Sequence, residues 1–177
     1  MLPLIRSHYA YQSWAMANLF KSLQELSPEE YTSVNASGHG SIRDTLAHLI
    51  STQAGWFSWF DGSKDPAQAM QGRITGNDIP TIDAAVERWQ VVREQTDACI
   101  ARLAEEDCRK VWSATAPNGF TLALPLWQML LHVANHGTHT RAQIVAAIRR
   151  TGKNPGVYEF LWFAATQPKL AGGEGRN

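Results

Sequence analysis

PLWQMLLHVANHGTHTRAQIVAAIRR, residues 125–150, combines a long helical pattern with the densest histidine cluster of this 177-residue chain. A helix turns about 100° per residue, so Leu126, Leu130, Val133, Ile144 and Ile148 gather into one apolar stripe. On the same wheel His132, His136 and His139 fall within roughly 60° of one another, about 100–160° from that stripe, and Met129, Gln143 and Ala147 share their side. The helix opens near Leu124 or Pro125 and runs to Arg150, where Gly152 and Pro155 end it. One face is built for a core. The other is a row of nitrogen ligands that must meet solvent, a second core or a metal.

The rest of the chain supplies partners for such a helix. Leu4, Ile5, Tyr9, Tyr11, Trp14, Leu19, Phe20 and Leu23 recur at helical spacing from Pro3 to Leu26. Ser27, Pro28, Glu29 and Glu30 then form a helix start: an oxygen cap, a proline at the first position, and acids at the positive end of the dipole. Ser41 caps a second long helix reaching Phe60, with Asp61 and Gly62 as its stop. Residues 63–80 hold Pro66, Gly72, Gly76 and Pro80, a long connection with a short helix near Ala67–Gln71. Thr81 caps a third long helix to about Ala104. Its inward set is Ile82, Ala85, Val86, Trp89, Val92, Ile100 and Leu103, and Glu87, Arg88, Arg93, Glu94 and Asp97 form its solvated face. Val111–Ala114 and Phe120–Leu122 suit a small hairpin around Pro117, Asn118 and Gly119, and Val157–Ala165 suits a short terminal helix. The expectation is an all-α four-helix bundle with a long crossover, one domain over residues 1–168, and a disordered tail at 169–177.

Composition narrows the function. Sixteen basic and sixteen acidic residues balance to zero, without the field expected of a general nucleic-acid or anionic-membrane binder. The longest uncharged stretches are too short for a bilayer span, and MLPLIRSHYA lacks a signal-peptide layout, so a cytoplasmic protein is expected. Cys99 and Cys108 have no CxxC spacing and read as plain thiols. No Gly-rich phosphate loop, GxSxG elbow or Cys–His nucleophile pattern is present.

The histidines are the chemistry-bearing residues. His132 and His136 stand at i and i+4, a spacing one first-row metal ion can bridge, and His136 and His139, at i and i+3, serve nearly as well. A third ligand must come from another element. His48 is the natural candidate: the apolar side of the second long helix is Ile42, Leu46, Leu49, Gln53, Trp56, Phe57 and Phe60, and His48 lies off it with Thr45, Thr52, Gly55 and Trp59, a nearly uncharged face suited to a cavity wall. Three protein ligands leave a coordination position open, as catalysis requires. His8 and His39 read as ordinary surface or loop residues. Arg141 falls on the apolar side of its helix, which suits packing or an interface. The tryptophans read as core, with Trp59 the exception on the His48 face.

Three segments resemble the DinB family, part of the DinB/YfiT-like group read as metalloenzymes: YQSWAMANLFKSLQELSPEEY (Tyr11–Tyr31), GSIRDTLAHLISTQAGWFSWFDG (Gly40–Gly62) and HVANHGTHTRAQI (His132–Ile144). The resemblance implies an up-down-down-up four-helix bundle, often a homodimer, with a divalent metal on one histidine of the second helix and two of the last. It carries over to His48 in TLAHL and His136 in NHGT. Relatives commonly read NHxxxHRGQ, whereas this chain has Thr140 at the second histidine and Ala142 at the glycine, leaving His139 or His132 as the third ligand. The chemistry implied is that of a Zn²⁺- or Ni²⁺-dependent hydrolase or thiol S-transferase acting on a small molecule, with a low-molecular-weight thiol as one candidate. The competing reading is a metal-free, stress-related binding or dimerisation module whose histidines line a ligand pocket. Elemental analysis and the thermal response to added metal separate the two.

Overall fold

The computed structural model describes residues 1–34, 38–69, 71, 73–115, 119 and 121–167. The chain is mostly helical: α1 (Leu2–Leu23), α2 (Pro28–Thr32), α3 (Ile42–Phe60), α4 (Pro66–Ala69), α5 (Ile82–Arg102), α6 (Leu126–Arg150) and α7 (Phe160–Thr166), with one antiparallel pair, β1 (Val111–Thr115) and β2 (Thr121–Pro125). The hairpin registers Val111 opposite Pro125 and Thr115 opposite Thr121. The expected tail at 169–177 lies outside the described residues.

Local chemistry sets the boundaries. Ser27 Oγ accepts the Glu30 amide while the Glu30 carboxylate accepts the Ser27 amide, a reciprocal capping box. Ser41 and Thr81 accept the amides of Asp44 and Ala84 and start α3 and α5. Helix α1 ends at Leu23, three residues before the expected Leu26, because the chain tightens into a turn that brings Leu26 back into the core. Helix α5 stops at Arg102, where Leu103 turns extended.

Helix α3 packs along both α6 and α5, and α1 packs on α6 and α5. The core has two main clusters. One gathers Leu19, Leu23, Leu46, Ile50, Trp89 and Ile144; the other gathers Ile5, Tyr9, Phe57, Ile100, Leu126 and Leu130, with Trp112 and Leu124 of the hairpin packed against it. The apolar stripe of α6 therefore buries as its spacing predicts. Arg141 sits among these buried positions, 2% exposed. It donates to Gln12 Oε1 at 2.6 Å, to Tyr11 Oη at 3.1 Å and to Thr138 Oγ1 at 3.3 Å, and so ties α6 to α1 through polar contacts. Helix α7 lies on α1 through Phe163, Tyr11 and Ala15.

The 61–81 connection is fastened to α3. Ile74 donates its amide to Ser51 Oγ, and Ile79 is fully buried. Among the described residues no helix is long and apolar enough to cross a membrane.

Candidate functional site

Gly38 and His39, just before α3, come first. The backbone at Gly38 has φ +64°, a left-handed conformation that favours glycine, and a Cβ there would stand 2.5 Å from Thr45 Oγ1. His39 donates its amide to Thr45 Oγ1 at 3.0 Å, and that hydroxyl donates to Ser41 O at 2.7 Å. His39 is thereby pinned to the first turn of α3, below His48.

His48 of α3 and His136 of α6 face each other, Nε2 to Nε2 at 2.9 Å, across 88 residues of sequence. Both rings resist protonation. Burial, then the neighbouring His39, His136 and Arg73, pushes the His48 pKa down to about 4. Burial, then His132, His139 and His39, lowers that of His136. Two neutral imidazoles at this distance form a hydrogen bond in which one Nε2 carries the proton and the other offers its lone pair.

Of the four histidines expected as ligands, the structure brings these two together. His132 is exposed, its ring edge-on to Trp56 at 5.6 Å between centroids. His139 is exposed as well, and its Nε2 accepts from Gln143 Nε2 at 3.2 Å. Thr140 is buried, 1% exposed. His39, expected to be an ordinary loop residue, is instead stacked on His48 with ring centroids 3.7 Å apart. Its position follows from a turn and a side-chain cap in another element, which helical periodicity cannot register. His8 is also more than a surface residue: its ring lies against Tyr11 and Phe160, and its Nε2 is buried without a hydrogen-bond partner among the described residues. Trp56 and Trp59 both pack in the aromatic cluster with Phe60. Trp59, expected on the His48 face, also meets Trp112, and it is Trp56 that additionally lines a cavity.

That cavity, about 550 Å³, lies between α3 and the 61–81 connection. His39 and His48 line it together with Asp44, Trp56, Arg73 and Lys64. Its size is that of a small-molecule site. Asp44 is already engaged: it accepts from Ser41 Oγ at 2.6 Å and from Arg43 Nε at 3.2 Å. Arg73 and Lys64 have no ion pair among the described residues.

A metal ligand set requires neutral imidazoles, and the pair supplies two. Nitrogens sharing one tetrahedral zinc ion at about 2.0–2.1 Å lie about 3.3–3.4 Å apart, so a small separation of the rings would admit an ion. The fit stops at two donors. Among the described residues no group of three or more His, Cys, Asp or Glu side chains is arranged to hold a metal ion.

A mostly helical chain with one hairpin, an imidazole pair joining two helices and a cavity beside it defines the class of protein. The chain belongs to the DinB family, whose model matches residues 1–174. It is 27% identical over 161 residues to Protein DinB of Bacillus subtilis strain 168, a match covering 81% of this chain and 84% of that relative. Its fold is similar to the crystal structure of a DinB-like protein from Bacillus cereus ATCC 10987, at a TM-score of 0.51 and 22% identity over 83% of this chain and 94% of the other.

Proposed function

We propose that the chain is a divalent-metal-dependent enzyme of small-molecule chemistry, a hydrolase or thiol S-transferase built on an up-down-down-up four-helix bundle. The observation that carries this reading is the meeting of His48 and His136, Nε2 to Nε2 at 2.9 Å, beside a cavity of about 550 Å³. His48 and His136 would hold the ion, and Zn²⁺ or Ni²⁺ suits their nitrogen donors. Such an ion, when bound, lowers the pKa of water or of a substrate thiol toward about 7 and so provides a nucleophile at neutral pH.

The protein's own groups define the substrate. Trp56 gives the cavity an apolar wall, and Arg73 and Lys64 give it two cations that have no ion pair among the described residues. A small thiol or electrophile bearing an anionic group matches that lining. Asp44 is held by Ser41 and Arg43 and serves the helix start rather than proton transfer. The proposal extends to a cytoplasmic homodimer that binds neither nucleic acid nor membrane.

Elemental analysis of protein purified without a histidine tag tests the reading. About one Zn²⁺ or Ni²⁺ per chain is expected, lost in both His48→Ala and His136→Ala. At a free metal concentration about 100-fold above Kd, the ion should stabilise the fold by about 2.7 kcal/mol. A metal-free wild type whose melting temperature ignores both ions refutes it. The 2.9 Å contact favours one alternative specifically, a binding module in which the two imidazoles hydrogen-bond each other, and that is the outcome such a refutation would support.

A further inference from the structure

We propose that the cavity between α3 and the 61–81 connection takes an elongated small molecule with an anionic group, carboxylate or phosphate, at each end. Arg73 holds the end beside His48, Lys64 holds the far end, and the two residues together set the specificity. The choice of this cavity as the substrate site rests on the reading above; the bound ion plays no part in it.

Both cations are unclaimed, with no ion pair among the described residues. The carboxylates around them are already engaged. Asp44, the one acidic residue lining the cavity among the described residues, accepts from Ser41 and Arg43; Asp61 accepts from Gln95 and Ser63, and Asp78 from Thr75. Two positive charges facing one cavity without a counter-charge call for anionic groups on the ligand. Their separation follows from the helix beneath them. The Lys64 amide donates to Ser58 O at 2.9 Å, and the amide of Ile74, next to Arg73, donates to Ser51 Oγ at 3.0 Å, so the two are fastened to α3 seven positions apart. At 1.5 Å per residue that is about 10 Å along the axis. The charge of Arg73 reaches His48, adding to burial, His39 and His136 in lowering its pKa, which puts Arg73 at the imidazole end. Thr52, Gly55 and Trp56 line the cavity between the two fastening points, so an uncharged spacer faces them, with the indole as its apolar support. The connection is also held before a ligand arrives. Ala69 O approaches α3 at Gly55, where a Cβ would stand 2.8 Å from it, and Gly76 lies against the Arg43 and Asp44 side chains with no room for a Cβ. A charged wall fastened in this way loses little freedom on binding.

Isothermal titration calorimetry of untagged full-length protein, in chelator and at low salt, tests this without any metal. The probes are suberate, a dicarboxylate whose ends approach that spacing when extended; octanoate, of the same length with one carboxylate; and succinate, with two carboxylates close together. Suberate is expected to bind at least about tenfold more tightly than either, the factor a second charge-assisted hydrogen bond supplies. Arg73→Ala and Lys64→Ala should each bring suberate down to the level of octanoate. Both side chains are exposed, so both variants should melt like the wild type, which separates ligand loss from unfolding. Lys64→Arg keeps the charge and should keep the preference. The same comparison between hexane bisphosphate and hexyl phosphate tells phosphate from carboxylate, the larger ratio naming the anion. Equal affinity for two-headed and one-headed probes in both series overturns the inference, and so does a preference that survives both alanine variants; if such protein still loads about one Zn²⁺ or Ni²⁺ per chain, the metal reading stands. A two-headed preference in protein that takes up no metal upholds the inference and overturns the metal reading.

Discussion

Replacing Gln12 with Leu should destabilise the protein more than replacing Gln12 and Arg141 together. Arg141 is 2% exposed and has no carboxylate among its hydrogen-bond partners; its charge is met by Gln12 Oε1 at 2.6 Å, by the Tyr11 and Thr138 hydroxyls, and by the Tyr11 ring 5.4 Å away. A hydrogen bond to a buried charge is worth about 1.5–3 kcal/mol, and losing the shortest of three leaves the cation under-solvated in the interior. Gln12→Leu should therefore cost about 2–3 kcal/mol, a fall of about 4–12 °C in Tm for a chain of this size. Adding Arg141→Met removes the charge that needed the acceptor and puts an unbranched apolar chain in its place, an exchange buried charges often tolerate. The double variant should regain at least about 1 kcal/mol over Gln12→Leu. Urea unfolding of the four proteins of this cycle measures the coupling. If the two substitutions add to within about 0.5 kcal/mol, the Gln12–Arg141 contact is not what holds the charge, and the reasoning fails.

Acid should weaken the protein between about pH 6.5 and 4. His48 has a pKa of about 4 when folded against 6.5 when unfolded, so over that range the unfolded chain takes up a proton that the folded one refuses. The ring keeps solvent contact, which reduces the expected loss to about 1 kcal/mol; it is read as a lower urea midpoint at pH 5 than at pH 7.5, and the difference should shrink in His48→Ala, with the remainder carried by His136 and His8, whose pKa values burial also lowers. Thr140→His places an imidazole one turn beyond His136 at a buried position. It should destabilise the metal-free protein by about 1–3 kcal/mol through overpacking and tighten Zn²⁺ binding, both visible as melting temperatures with and without the ion. Phe57→Ala should cost about 3–5 kcal/mol, since the ring is fully buried and meets Tyr9 and Phe60 edge-on; circular dichroism on heating checks it.

Most of the helical framework was legible because it is local. Ser27, Ser41 and Thr81 start helices by bonding to amides three residues on, an interaction written entirely within four residues of sequence. The stripe Leu126, Leu130, Val133, Ile144 and Ile148 is buried as its spacing requires. The hairpin was legible from its turn residues. Arg141 was placed correctly on the buried side of α6, but periodicity says nothing of the Gln12 and Tyr11 groups that make such a position tolerable, because these come from a helix about 130 residues earlier.

The same division explains the site. His48 and His136 each stand on a helix face, so the wheel shows their directions, and the meeting of the two follows once α3 packs along α6. His132 and His139 share that face, yet a common side of a helix is an arc, and cross-chain neighbours decide which part of the arc points inward. Trp56 of α3 meets His132 edge-on and His48 of α3 meets His136, while His139 turns to Gln143 one turn further along its own helix. His39 has no periodic position at all. Its place is set by a left-handed glycine, a threonine hydroxyl one helical turn into α3 and the ring of His48, three contacts that exist only after folding. A row of histidines on one helix is therefore a weaker guide to where imidazoles meet than a single histidine on each of two crossing elements, because the crossing fixes a point in space and the row fixes only a side.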